Sequence, residues 1–171
     1  MIPAPRPQEI LQPVTSGLIA VTILGALLAN LVPLPMSALD LRPDFCALVL
    51  LYWGVEQPRR VGFTIAFMLG LLVDLGDGSL LGQHPLAYVV LYFAAIALHR
   101  RVLNFGFLGQ SLHVFPLLLG TELITVSVRV LAGDELPPAG HFLGAAISAV
   151  LWIPLCALLR LPRLPKTRID L

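Results

Sequence analysis

The sequence predicts an all-α polytopic membrane protein, one transmembrane domain over residues 1–171 with six crossings and both termini on the cytoplasmic side. Three observations carry this. Hydrophobic residues make up 57% of the chain and charged residues 12%, about half the charge of a soluble domain. So few charges cannot cover a water-facing surface, which excludes a soluble enzyme and a nucleic-acid binder. The charges also punctuate the chain, leaving long apolar blocks between them. Finally, the bases fall on alternate turns, as cytoplasmic loops require.

Each span follows from the gap between charges. No charged residue occurs from Ile10 to Leu39, and the most apolar part, Leu18 to Val32, closes at Pro33 and Pro35; this gives span one, about 14–34. Phe45 to Val55 closes at Glu56-Gln57-Pro58-Arg59-Arg60 and gives span two, 44–56. Val61 to Val73 stops at Asp74 and gives span three, 61–75. The fourth, 80–99, ends at Arg100-Arg101. The fifth, 105–131, is interrupted by Glu122 and Arg129. The sixth, 138–160, runs into a basic tail of Arg160, Arg163, Lys166 and Arg168. A helix needs about 20 residues to cross roughly 30 Å of hydrocarbon. The second and third blocks, 11 and 13 residues long, are shorter and are expected to form a tight hairpin.

Orientation supports counting the short pair. Arg6, Arg59, Arg60, Arg100, Arg101 and the four tail bases lie on one side, nine against Arg42 alone on the other. Asp40, Asp44, Asp74, Asp77, Asp134 and Glu135 fall with Arg42. A re-entrant hairpin would carry Arg59 and Arg60 into the membrane at about 2.5–3.5 kcal/mol each. The first block lacks a small-residue cleavage site leading into a polar chain, so an uncleaved first span is expected. Cys46 and Cys156 sit in apolar runs and read as small buried hydrophobes.

Ionisable groups inside hydrocarbon are costly and normally face a partner or an aqueous cavity. In span five, Glu122, Thr125 and Arg129 fall within about 60° on a helical wheel, with Ser111 on the same stripe. Two readings stand: a hydrogen-bonded helix packing within its own bundle, or the wall of a pocket or partner contact. Arg129, near the span end, can also snorkel. A second cluster runs from Gly70 through Asp74, Asp77, Gly78 and Ser79 to Gly82-Gln83-His84-Pro85. Asp74 ends a short span and is expected below the surface. Asp77 reads as a loop acid or the cap of span four, and His84 as an interfacial residue.

Chemistry is poorly supported. Asp74 and Asp77 come from one turn, whereas an aspartyl dyad draws its acids from separate elements. Ser79 would need activation by His84 or His99 and an oxyanion hole. There is no metal-ligand spacing or phosphate loop. No catalytic residue, cofactor or metal is assigned. The candidate cavity or partner-contact residues are Asp44, Asp74, Gln83, Glu122, Thr125 and Arg129.

The stretch Pro43-Asp44-Phe45 with Leu51-Tyr52-Trp53-Gly54, the turn Gln57-Pro58-Arg59-Arg60-Val61-Gly62, then Ala66 to Asp74 and Gly78 to His84, resembles MreD, the rod shape-determining membrane protein family of bacteria. The resemblance is close over residues 43–101. It implies a non-enzymatic scaffold or regulator in the inner membrane, working in cell elongation and peptidoglycan synthesis. Partners would be MreC, MreB filaments, and RodA with its class B penicillin-binding protein, alongside membrane lipids. It further implies a fold like the S-components of vitamin uptake transporters, with a cavity opening outward. The alternative is a solute- or lipid-binding transporter subunit built around that cavity. Small residues at i, i+4 spacing, Gly25 with Ala29 and Gly144 with Ser148, offer close helix approach.

Overall fold

The computed structural model describes residues 14–32 and 42–163. Arg6, Pro33, Pro35, Asp40, Lys166 and Arg168, and the cleavage question for the first block, lie outside them. Among the described residues six α-helices form: α1 Ser16–Leu31, α2 Phe45–Glu56, α3 Gly62–Asp77, α4 Gln83–Leu103, α5 Phe107–Leu131 and α6 Leu143–Arg160. A 3₁₀ turn, Ala139–Phe142, leads into α6, and another, Leu161–Arg163, follows it. Gln83–Leu103, Phe107–Leu131 and Ala139–Arg163 are long and apolar enough to cross a membrane; α1 and α2 are shorter apolar helices.

The reason α2 is short emerges from its burial. Every residue from Cys46 to Val55 is buried, as expected of a helix apolar on all sides. It is the core of the bundle, packed on α4 and α1 and touching α5 and α6. The outer helices turn large apolar groups outward, among them Val21, Phe93, Leu108, Leu112 and Val150, each more than 60% exposed. Such a surface suits lipid rather than water.

The expected hairpin of spans two and three does not pack as one. Both α2 and α3 lie against α4, and α3 also meets α1. Two glycines permit the close approach to α4. A Cβ on Gly54 would stand 2.8 Å from that of Ala95. One on Gly70 would stand 2.6 Å from the His84 carbonyl carbon and from Pro85 Cα, and nearer still to Pro85 N. A short loop brings chain ends together, but α2 needs apolar neighbours on every side and takes them chiefly from α4 and α1.

Helix ends also differ from the charge boundaries. The fourth helix continues past Arg100-Arg101 to Leu103, because bases in a last turn suit the negative end of a helix dipole. The third continues through Asp74 to Asp77, closed by Gly78 in the left-handed region (φ 62°), a conformation glycine adopts freely.

The helices alternate in direction, giving two chemically distinct ends. At one, Glu56 accepts from Arg160 at 2.7 Å and Arg163 at 3.1 Å, joining the ends of α2 and α6. Arg160 also lies 4.8 Å over the Phe107 ring that opens α5. Tyr92 Oη donates to Pro58 O and accepts from Gly62 N–H, both at 2.8 Å, fixing the Arg59-Arg60 turn. The other end is acidic and holds the cavity.

Candidate functional site, a polar cavity at the acidic end

Three helices meet at Asp44. It caps α2 by accepting from Ala47 N–H at 2.9 Å. Asn30 Nδ2 of α1 donates to it at 3.0 Å, while Asn30 Oδ1 accepts from Phe45 N–H at 3.0 Å. From α4, the buried Tyr88 Oη lies 2.8 and 2.7 Å from its two carboxylate oxygens. A second tie between α1 and α2, Trp53 Nε1 donating to Thr22 Oγ1 at 2.9 Å, runs deeper. Asp44 thus holds the mouth of the bundle together.

Asp74 is fully buried and does similar work for the loop between α3 and α4. It accepts from Gly82 N–H at 2.6 Å, His84 N–H at 3.3 Å and Ser79 Oγ at 3.3 Å, and lies 2.6 Å from His84 Nδ1. The carboxylate therefore occupies the amino end of α4, where unpaired amides favour an anion. Gly82, at φ 106°, folds the loop back onto it. The Gly70-to-His84 motif is accounted for by this arrangement. Ser79 donates to Asp74, so its proton is directed at the acid and not at the imidazole a serine nucleophile requires.

These groups open into a cavity of about 1110 Å³. Asp44, Gln83, Glu122, Thr125 and Arg129 line it, whereas Asp74 lies beneath its wall, behind His84. Asn30, Arg42, Asp77 and the 134–138 loop complete the rim. Arg42 sits 3.7 Å from Asp77, so that acid ends α3 as an ion-pair member; α4 is capped by Gly82 without a side-chain bond. Arg129 Nε donates to Asp134 at 3.1 Å, and Thr125 Oγ1 to the Glu122 carbonyl at 2.9 Å. The stripe on α5 is therefore a cavity wall, but Glu122 and Arg129 do not pair with each other. Instead, Glu122 faces α6. A Cβ on Gly144 would stand 2.9 Å from Glu122 Oε1 and from Arg42 O.

Gly144 and the buried Ser148 are thus taken up inside the bundle, and Gly25 has open space around it. Lower on α5, Ser111 Oγ donates to Ala149 O. The residues sequence reasoning passed over are Asn30, Tyr88 and the His84 contact with Asp74. Asn30 carried a signal, being the lone amide of the apolar stretch Leu18 to Val32, where polar side chains usually bridge helices.

A family model described as the rod shape-determining protein MreD matches residues 12–161. The chain belongs to the MreD family. It is also 31% identical over 127 residues to the rod shape-determining protein MreD of Haemophilus influenzae, covering 74% of this chain and 78% of that protein. No solved structure matches it. Membership gives this MreD-family chain a role in rod shape determination, and its outward apolar helices are those of a membrane protein.

Proposed function

We propose that the protein is a non-enzymatic scaffold of the cell-elongation complex, spanning the inner membrane six times with both ends cytoplasmic. On this reading it binds MreC, through MreC's transmembrane helix, and helps position peptidoglycan synthesis by RodA and its class B penicillin-binding protein along MreB filaments. Family membership over residues 12–161 carries the reading. The structure is compatible with it: the charged and polar groups at the acidic end mostly bond to one another and hold helices in place. Arg59, Arg60, Arg100, Arg101, Arg160 and Arg163 belong to the opposite end, the distribution expected of a cytoplasmic face. The MreC contact is assigned to the outer face of α1, where Gly25 has open space and Val21, Leu24 and Leu28 are exposed.

Depletion should turn rods into spheres, and MreC should co-purify with the protein. Gly25→Leu should break that association without lowering the melting temperature. Retained MreC binding would move the contact to another helix. Normal rod shape in a null strain, with loss of uptake of one solute, would replace the scaffold reading with that of a transporter binding subunit.

A further inference from the structure

We propose that the acidic-end cavity is a binding site for a primary ammonium group, with Gln83 and Glu122 supplying the acceptors. Gln83 is 97% buried yet lines the cavity, and its Oε1 has no hydrogen-bond partner among the described residues. Glu122 Oε2, on another wall of the same cavity, is likewise buried and unpartnered. A buried acceptor left unpaired costs about 1–3 kcal/mol, and most such groups in proteins have a partner. Two in one cavity, on separate helices, point to a donor that enters from outside.

Charge selects the donor. The cavity's two arginines are already engaged, Arg42 with Asp77 and Arg129 with Asp134. The carboxylate of Asp44 is filled by Asn30, Ala47 and Tyr88. That leaves Glu122 as the inner anion with no counter-charge on a neighbouring helix, and Glu135 adds a further negative charge at the rim. The lining holds Asp44, Asp77, Glu122, Asp134 and Glu135 against Arg42 and Arg129, and a walled cleft with an excess of one sign concentrates the opposite ion. An ammonium carries three donors and no acceptor, which matches carboxylate and amide oxygens. A quaternary amine has the charge without the donors. The volume, about 1110 Å³, exceeds what a bare amine fills and admits a whole headgroup. Two sources share this chemistry: the ethanolamine headgroup of a lipid and a free primary amine. The site does not depend on the scaffold reading and can coexist with it.

The test uses the full chain in phosphatidylcholine nanodiscs, melted with increasing phosphatidylethanolamine or, separately, with free ethanolamine. Either titration raising the melting temperature supports the site, and the arm that does so identifies the source. Glu122→Gln should shift the half-saturation point by tenfold or more, on the order expected for a charged hydrogen bond, and Gln83→Met should weaken it as well. Both variants should melt at or above the unsubstituted protein in phosphatidylcholine alone, since Gln83→Met removes an unpaired acceptor and Glu122→Gln removes a charge with an unpaired oxygen. A response in neither titration would overturn the proposal. So would an equal response in both variants, which would mark a bulk effect of the bilayer.

Discussion

Replacing Gly70 by alanine tests the packing that holds the acidic end together. The added methyl would stand 2.6 Å from two backbone atoms of the His84–Pro85 segment, against about 3.5–4.0 Å for an unstrained carbon contact. The obstacle is main chain, so no side chain can swing aside, and α3 and α4 must separate by about 1 Å. Overpacking of this kind costs about 1–3 kcal/mol. At about 2–4 °C per kcal/mol for a chain of this length, the melting temperature should fall by roughly 2–12 °C. Separation would also stretch the Asp74 bonds to Gly82 and His84, so protease should cut the 78–82 loop sooner. Gly120→Ala is the control, because a Cβ there meets nothing within 4 Å. Equal melting of the Gly70 and Gly120 variants would refute the close-approach argument.

Glu56→Ala strands Arg163, which is 6% exposed. Removing one partner of a buried pair costs about 3–5 kcal/mol, so this variant should be among the least stable in denaturant melts, with Glu56→Gln retaining much of the loss. Asp44→Ala removes the α2 cap and the acceptor of Asn30 and Tyr88. It should lower stability by at least the ~1 kcal/mol of a lost cap, and Tyr88→Phe should then add little in the double variant. Topology reporters fused after residues 57, 78, 101, 135 and 171 should read cytoplasm, periplasm, cytoplasm, periplasm and cytoplasm in turn. A periplasmic C-terminus would remove the six-crossing arrangement.

Helix number was legible because charges bound the apolar blocks, and a charge in lipid is costly enough to leave a clear trace. Partnership was less legible. The five-residue link between α2 and α3 suggested mutual packing, yet the uniform apolarity of α2 called for neighbours on all sides. That is information about demand, which does not say which helices meet it. The polar face of α5 could be read from the wheel, but not that Arg129 would turn to Asp134 while Glu122 turned to α6. His84 looked interfacial because nothing in a linear reading shows the positive φ of Gly82 folding the loop back to Asp74. Asp74 itself was expected below the surface, and its burial under the loop makes it a fastening for α4 more than an accessible polar group.

The enclosure of α2 has a consequence for biogenesis. Twelve residues make a rod of about 18 Å, too short to rest across the bilayer by itself, so its membrane placement depends on helices synthesised afterwards. About 50 residues of chain separate the end of α2 from the end of α4, its main neighbour. At about 5–20 residues per second, the nascent segment waits roughly 2–10 s for that neighbour. During this interval α2 has α1 beside it but lacks α4, the helix it packs on most extensively. Assembly of this bundle is therefore a late event in translation, and chains that stop before α4 should be handed to membrane quality control rather than accumulate as a stable half.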